Sequence, residues 1–148
     1  MTGKKRTSFC CVCIANYCRS PVFEALLKNK YGEDFEIYSA GLYPMAEPNM
    51  DPRSIDYLEK AGIKNVLHTP KKISKRMLEY VDFFIAADIN VLNMLNKSFP
   101  KYINKFILST RNIKDVEISD PYTMNDNEYL AIMKKISLTV NNLDLEDF

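Results

Sequence analysis

The stretch TSFCCVCIANYCRSPVFEALLKNKYG, residues 7–32, decides the fold. Its first part, Thr7 to Cys13, is a short apolar run of Phe, Val and Cys. It reads as a central strand buried on both faces. Ser20 and Pro21 look like an N-cap and the first helical residue. Val22, Phe23, Leu26 and Leu27 then share one helical face until Gly32 stops the helix near Tyr31. A strand feeding a helix through a tight loop is half of a parallel βαβ unit.

The rest of the chain repeats this alternation. Strands fit 35–40, 81–87 and 105–109, and helices fit 52–61, 75–80 behind Ser74, 89–96 behind Asp88, and 128–142. A loop of roughly fifteen residues precedes the last helix. The pattern predicts a doubly wound α/β fold: a four-stranded parallel sheet, flavodoxin-like, with helices on both faces. In such sheets ligands bind beyond the carboxyl ends of the strands. The loop after Cys13, the segment after Ala40 and the loop after Ser109 all end there.

With 148 residues, the chain fits one domain, 1–148. Its formal net charge of +1 excludes a general nucleic-acid binder or a polybasic membrane protein, so any anion must be recognised locally. The basic start is followed by an apolar run too short for a signal peptide, and nothing approaches a membrane span. All four cysteines, Cys10, Cys11, Cys13 and Cys18, fall within nine residues. A disulfide framework would spread them, so the crowding suggests reduced thiols in the cytoplasm, although export to a host stays open.

The chemistry centres on Cys13-Ile14-Ala15-Asn16-Tyr17-Cys18-Arg19-Ser20, a cysteine and an arginine six positions apart between strand and helix. A loop around a helix N-terminus turns N–H groups inward and favours an anion. Arg19 can fork onto two phosphate oxygens. Cys13 in the same field should be a thiolate, since such cysteines titrate at roughly 3.5–7.5. Zinc is a poor fit: Cys10 and Cys13 have the C-x2-C spacing, but residues three apart on a strand face opposite ways and no second pair exists. No glycine-rich GK[ST] run marks a nucleotide loop. No cofactor or metal is expected.

VCIANYCRSP resembles the signature of the low-molecular-weight protein tyrosine phosphatases. Ser39-Ala40-Gly41, Asp51-Pro52-Arg53, HTPKKI at 68–73, Ala87-Asp88 and Asp120-Pro121-Tyr122 resemble further family segments in the family's order. The resemblance implies that Cys13 attacks phosphorus, Arg19 binds the equatorial oxygens, and Asp120 serves as acid and then base. It implies that Ser20 donates to the sulfur, that Asn16, Ser39 and His68 brace the loop, and that Tyr122 walls the pocket. Tyr43 and Met45 are further candidates for the pocket lining. The partner implied is a phosphotyrosine protein, with inorganic phosphate or vanadate as ligand or inhibitor.

Some positions depart from the family pattern. Ala15 stands where glycine is common, which matters only if that position needs positive φ. Val91 stands where an asparagine often supports the histidine, and Thr123 replaces a second tyrosine. Cys18 reads equally as a packed thiol or as a redox guard for Cys13. Two rivals remain: an arsenate reductase, which needs cysteines after Cys18 that this chain lacks, and a phosphate-binding module without turnover.

Overall fold

The computed structural model describes residues 5–148. Its sheet has four parallel strands in the order β2-β1-β3-β4: β1 Ser8–Cys13, β2 Glu36–Gly41, β3 Phe83–Ala86 and β4 Phe106–Leu108. β1 is central because every residue in it is buried, leaving no face for water. Among the described residues, four α-helices lie in the crossovers, α1 Ser20–Tyr31, α2 Pro52–Lys60, α3 Lys75–Tyr80 and α4 Ile89–Ser98, and a fifth, α5 Asp126–Asn142, follows β4. None is long and apolar enough to cross a membrane, among the described residues.

The pleat of β1 divides the core. Phe9, Cys11 and Cys13 pack with α1, α2 and α5 through Val22, Phe23, Leu58, Tyr129 and Ile136. Cys10 and Val12 face the other way, toward Leu78, Val91 and Leu95 of α3 and α4. Cys10 and Cys13 therefore lie on opposite faces, as a spacing of three on a strand dictates. Burial pushes the Cys10 and Cys11 thiols well up, so both behave as small apolar residues.

Helix starts follow their caps. Asp51, Ser74, Asp88 and Asn125 each accept an N–H from the first turn of α2, α3, α4 and α5. Asn125 and Glu128 close a reciprocal capping box, which starts α5 two residues before the expected Glu128. At α1 the expectation is corrected: Arg19 is the N-cap, and Ser20 and Pro21 are already helical. The carbonyl of Arg19 takes the N–H groups of both Val22 and Phe23. The loop turns inward one residue early, placing Ser20 beneath the sulfur of Cys13. A short 3-10 helix, Pro100–Lys105, shortens β4 at its start.

The first crossover runs from β1 to β2 and the next returns past β1 to β3, so the winding direction reverses at β1. The loops leaving β1, β2, β3 and β4 meet at that reversal. Between β2 and the loop after β1 the fit is close. A Cβ added at Gly41 would sit 2.8 Å from both Asn16 N and Ile14 O. We expect Gly41→Ala to destabilise the protein by about 1–3 kcal/mol in urea melts and to weaken vanadate binding; unchanged stability and affinity would contradict this fit.

Candidate active site

The residues from Ile14 to Arg19 wrap around the start of α1 above the end of β1. None of their backbone N–H groups donates to another protein group among the described residues. Donors without partners around a helix N-terminus make a cradle for an anion. The carbonyls on the outside of the loop are taken instead: Leu42, Tyr43 and Met45 donate to Cys13, Ile14 and Ala15 at 3.2, 2.7 and 2.9 Å. The segment after β2 thus fixes the loop from outside.

Asn16 holds the shape. It is fully buried with φ +51°, in the left-handed region that asparagine tolerates. Its Nδ2 donates to Ser20 Oγ at 2.7 Å and to Ser39 Oγ at 3.1 Å, while its Oδ1 accepts from Lys71 N at 2.9 Å. Ala15 does not take a positive φ, so its methyl group causes no backbone strain. Because Ser20 Oγ already accepts from Asn16, its proton is free to point at Cys13 Sγ, 3.0 Å away. The Ser20 N–H is also 3.5 Å from that sulfur. Both donors favour negative charge on Sγ.

His68 is buried and its Nε2–H donates to the Asn16 carbonyl at 2.9 Å. Its Nδ1 lies 3.9 Å from Glu24 Oε1, the oxygen that accepts from Ser39 Oγ. Burial holds the His68 pKa below its ordinary value, outweighing the carbonyl it donates to. Val91 packs in the apolar core on the far face and offers His68 no polar atom.

Arg19 is 1% exposed. Its Nη1 donates to Asp88 Oδ2 at 2.6 Å and to the Ile118 carbonyl at 2.8 Å. Burial works against its charge, but Cys13 and Asp88 outweigh that and raise its pKa. Nε and Nη2 have no protein acceptor among the described residues, and the side chain lines the cleft, so one edge of the guanidinium is left for a ligand.

A cleft of about 210 Å³ opens over this floor, lined by Cys13, Ile14, Ala15, Tyr17, Cys18, Arg19, Met45, Asp120 and Tyr122. Asp120 is exposed, and one carboxylate oxygen accepts the Tyr122 N–H at 3.1 Å. The Tyr17 and Tyr122 rings meet edge to face with centroids 6.0 Å apart and form one wall. Met45 lies on the rim. Tyr43, expected in the lining, is 68% exposed and falls outside it. Cys18 donates toward Asp51 Oδ2 at 3.8 Å, and burial pushes its pKa up to about 12, so it is a thiol and not a competing nucleophile. Glu24 carries no signal of its own in the sequence, and Asp51-Pro52-Arg53, although it resembles a family segment, reads from its residues only as a helix start.

Fold and cleft together define a cysteine-based phosphoryl-transfer site. The family model of the low molecular weight phosphotyrosine protein phosphatases matches residues 8–146, and the chain belongs to that family. Its general chemistry is hydrolysis of a phosphomonoester through a phosphocysteine. The chain is 27% identical over 121 residues to the low molecular weight protein-tyrosine-phosphatase Wzb of Escherichia coli K12, covering 82% of each. It superimposes on the tyrosine phosphatase AmsI of Erwinia amylovora with a TM-score of 0.83 and 25% identity, covering 96% of this chain and 93% of that one. The YwlE arginine phosphatase of Geobacillus stearothermophilus shares the fold, with a TM-score of 0.83 at 23% identity over 92% and 89% of the two chains.

The lowered pKa of His68 has a pH consequence. The unfolded chain binds a proton at His68 below about pH 6.5 while the folded protein resists it, so stability is full above that value and falls as pH drops. We expect the melting temperature to fall between about pH 7.5 and about pH 5.5, and to fall less in His68→Gln, which can still donate to Asn16. Equal falls would contradict the assignment.

Proposed function

We propose that this chain hydrolyses phosphotyrosine in proteins, with Cys13 as nucleophile, Arg19 as phosphate clamp and Asp120 as general acid and base. The observation that carries the reading is the set of unpartnered N–H groups from Ile14 to Arg19 encircling Sγ of Cys13, with the free edge of Arg19 beside them. An oxygen-rich dianion there meets donors on every side and a sulfur in line with its phosphorus.

In the first step Cys13 Sγ attacks phosphorus, the bond from phosphorus to the phenolic oxygen breaks, and Asp120 gives that oxygen its proton. In the second, water attacks phosphorus, Asp120 takes the water's proton, and the sulfur leaves. Ser20 eases that departure by donating to Sγ. Arg19 and the loop N–H groups bear the charge that builds on the equatorial oxygens. Ile14, Ala15, Asn16, Tyr17 and Cys18 supply the cradle, and Ser39 and His68 hold Asn16 in its strained turn.

The tyrosine ring would pass between the Tyr17–Tyr122 wall and Met45, a slot suited to a flat aryl group. Phosphate or vanadate would occupy the cradle alone. Four free thiols suit a reducing compartment such as the cytoplasm.

Cys13→Ser should abolish vanadate-sensitive hydrolysis of aryl phosphates, and normal turnover by that variant would refute the reading. Asp120→Asn should lower kcat/KM by about 10²–10⁴ for phenyl phosphate and far less for p-nitrophenyl phosphate, whose leaving group needs no proton. Equal losses on both substrates would remove Asp120 from the acid role.

A further inference from the structure

Asp120 sits on a long loop that the sheet does not hold. Upstream, the nearest anchor is the Ile118 carbonyl, bound by Arg19 Nη1 at 2.8 Å. Downstream, Arg53 Nη2 donates to the Tyr122 carbonyl at 3.0 Å and Arg53 Nη1 to the Met124 carbonyl at 2.8 Å. From residue 119 to residue 124, these are the only side-chain hydrogen bonds reaching in from outside the loop, among the described residues.

The other side of Arg53 is fixed to the phosphate cradle. Its Nε and Nη2 pair with the two carboxylate oxygens of Asp51 at 3.1 and 2.9 Å, and the guanidinium lies 3.9 Å over the Tyr129 ring. Asp51 in turn donates its backbone N–H to the Tyr17 carbonyl at 2.9 Å and accepts from Cys18 Sγ at 3.8 Å. One planar side chain therefore spans from the loop that carries the nucleophile to the loop that carries the acid.

We propose that Arg53 is a positioning residue that sets the distance between Asp120 and the phosphate cradle. The proposal rests on the acid role of Asp120 given above. Arg53 touches neither the substrate nor the reacting atoms; it acts by holding two carbonyls just past Asp120 while gripping Asp51. A lysine keeps a cation beside Asp51 but has no fork to hold both carbonyls as well. Displacing a catalytic group by about an ångström costs on the order of 10²-fold in rate, so a loosened loop should show chiefly as lost acid catalysis.

The test is a double-mutant cycle read as kcat/KM on phenyl phosphate and p-nitrophenyl phosphate. Arg53→Ala should lose about 10- to 100-fold on phenyl phosphate and only about 2- to 3-fold on p-nitrophenyl phosphate, with Arg53→Lys between. Added to Asp120→Asn, Arg53→Ala should cost no more on phenyl phosphate than the about 2- to 3-fold it costs on p-nitrophenyl phosphate. If Arg53→Ala does not fold, as a thermal melt will tell, Arg53→Lys carries the same cycle. Equal losses on both substrates, or an undiminished loss in the double variant, would overturn the role of Arg53 while leaving Asp120 as the acid. No leaving-group contrast in Asp120→Asn itself would overturn the acid assignment and this proposal together.

Discussion

Arg19 places a full positive charge almost completely out of water, and the functional edge of the sheet is organised around that charge. A buried guanidinium is tolerable only where its N–H groups are paired and an opposite charge stands close. Asp88, at the end of β3, supplies the charge, and the Ile118 carbonyl beyond β4 supplies a second acceptor. Cys13 at the end of β1 adds to the field that keeps the guanidinium protonated. The residue after the end of β3 and the loop beyond β4 are thereby tied to one side chain that stands beside the end of β1. Both structural bonds leave from Nη1, so the remaining edge of the planar group stays aimed into the cleft, a division of labour an ammonium cannot make.

The same economy runs through Asn16. Its left-handed backbone is strained for most residues, and the strain persists because four neighbours fix it: Ser20, Ser39, Lys71 and His68. These partners come from α1, β2 and the segment leading to α3, so the loop can keep its shape only when the whole fold is assembled. Asn16 also sets the proton of Ser20 toward Cys13, linking the shape of the cradle to the charge on its sulfur. Arg53 and Asp51 extend the arrangement to the loop that carries Asp120. A rigid cradle and a loop held at two points are what a reaction needs when the nucleophile and the acid must act on opposite sides of one phosphorus.

Much of this was legible in the sequence because it is local. β1 announces itself by a run of buried residues, and the turn into α1 by Arg19, Ser20 and Pro21 following a cysteine at fixed spacing. The caps Ser74 and Asp88 were readable from residue type alone. What escaped has long-range causes. Ser20 reads as a cap, yet the tertiary pull on Arg19 moves the helix start by one residue. Tyr43 reads as pocket lining, yet its backbone N–H is used to hold Ile14 and its ring turns to solvent. Arg53 looks like a first-turn helix residue; its partners Tyr122 and Met124 lie about seventy positions away, and no periodicity connects them. The concern over Ala15 dissolves because the left-handed residue is the next one, Asn16.

The central claim is that phosphate passes through the sulfur of Cys13. Rapid acid quench of the enzyme with excess aryl phosphate, followed by mass spectrometry of the peptide spanning Cys10 to Arg19, tests it directly. The account predicts a phosphate carried on Cys13 that forms in a burst stoichiometric with enzyme and decays at the turnover rate. Phosphate found on Tyr17 or Cys18 instead, or turnover with no phosphorylated peptide at any time point, would contradict it.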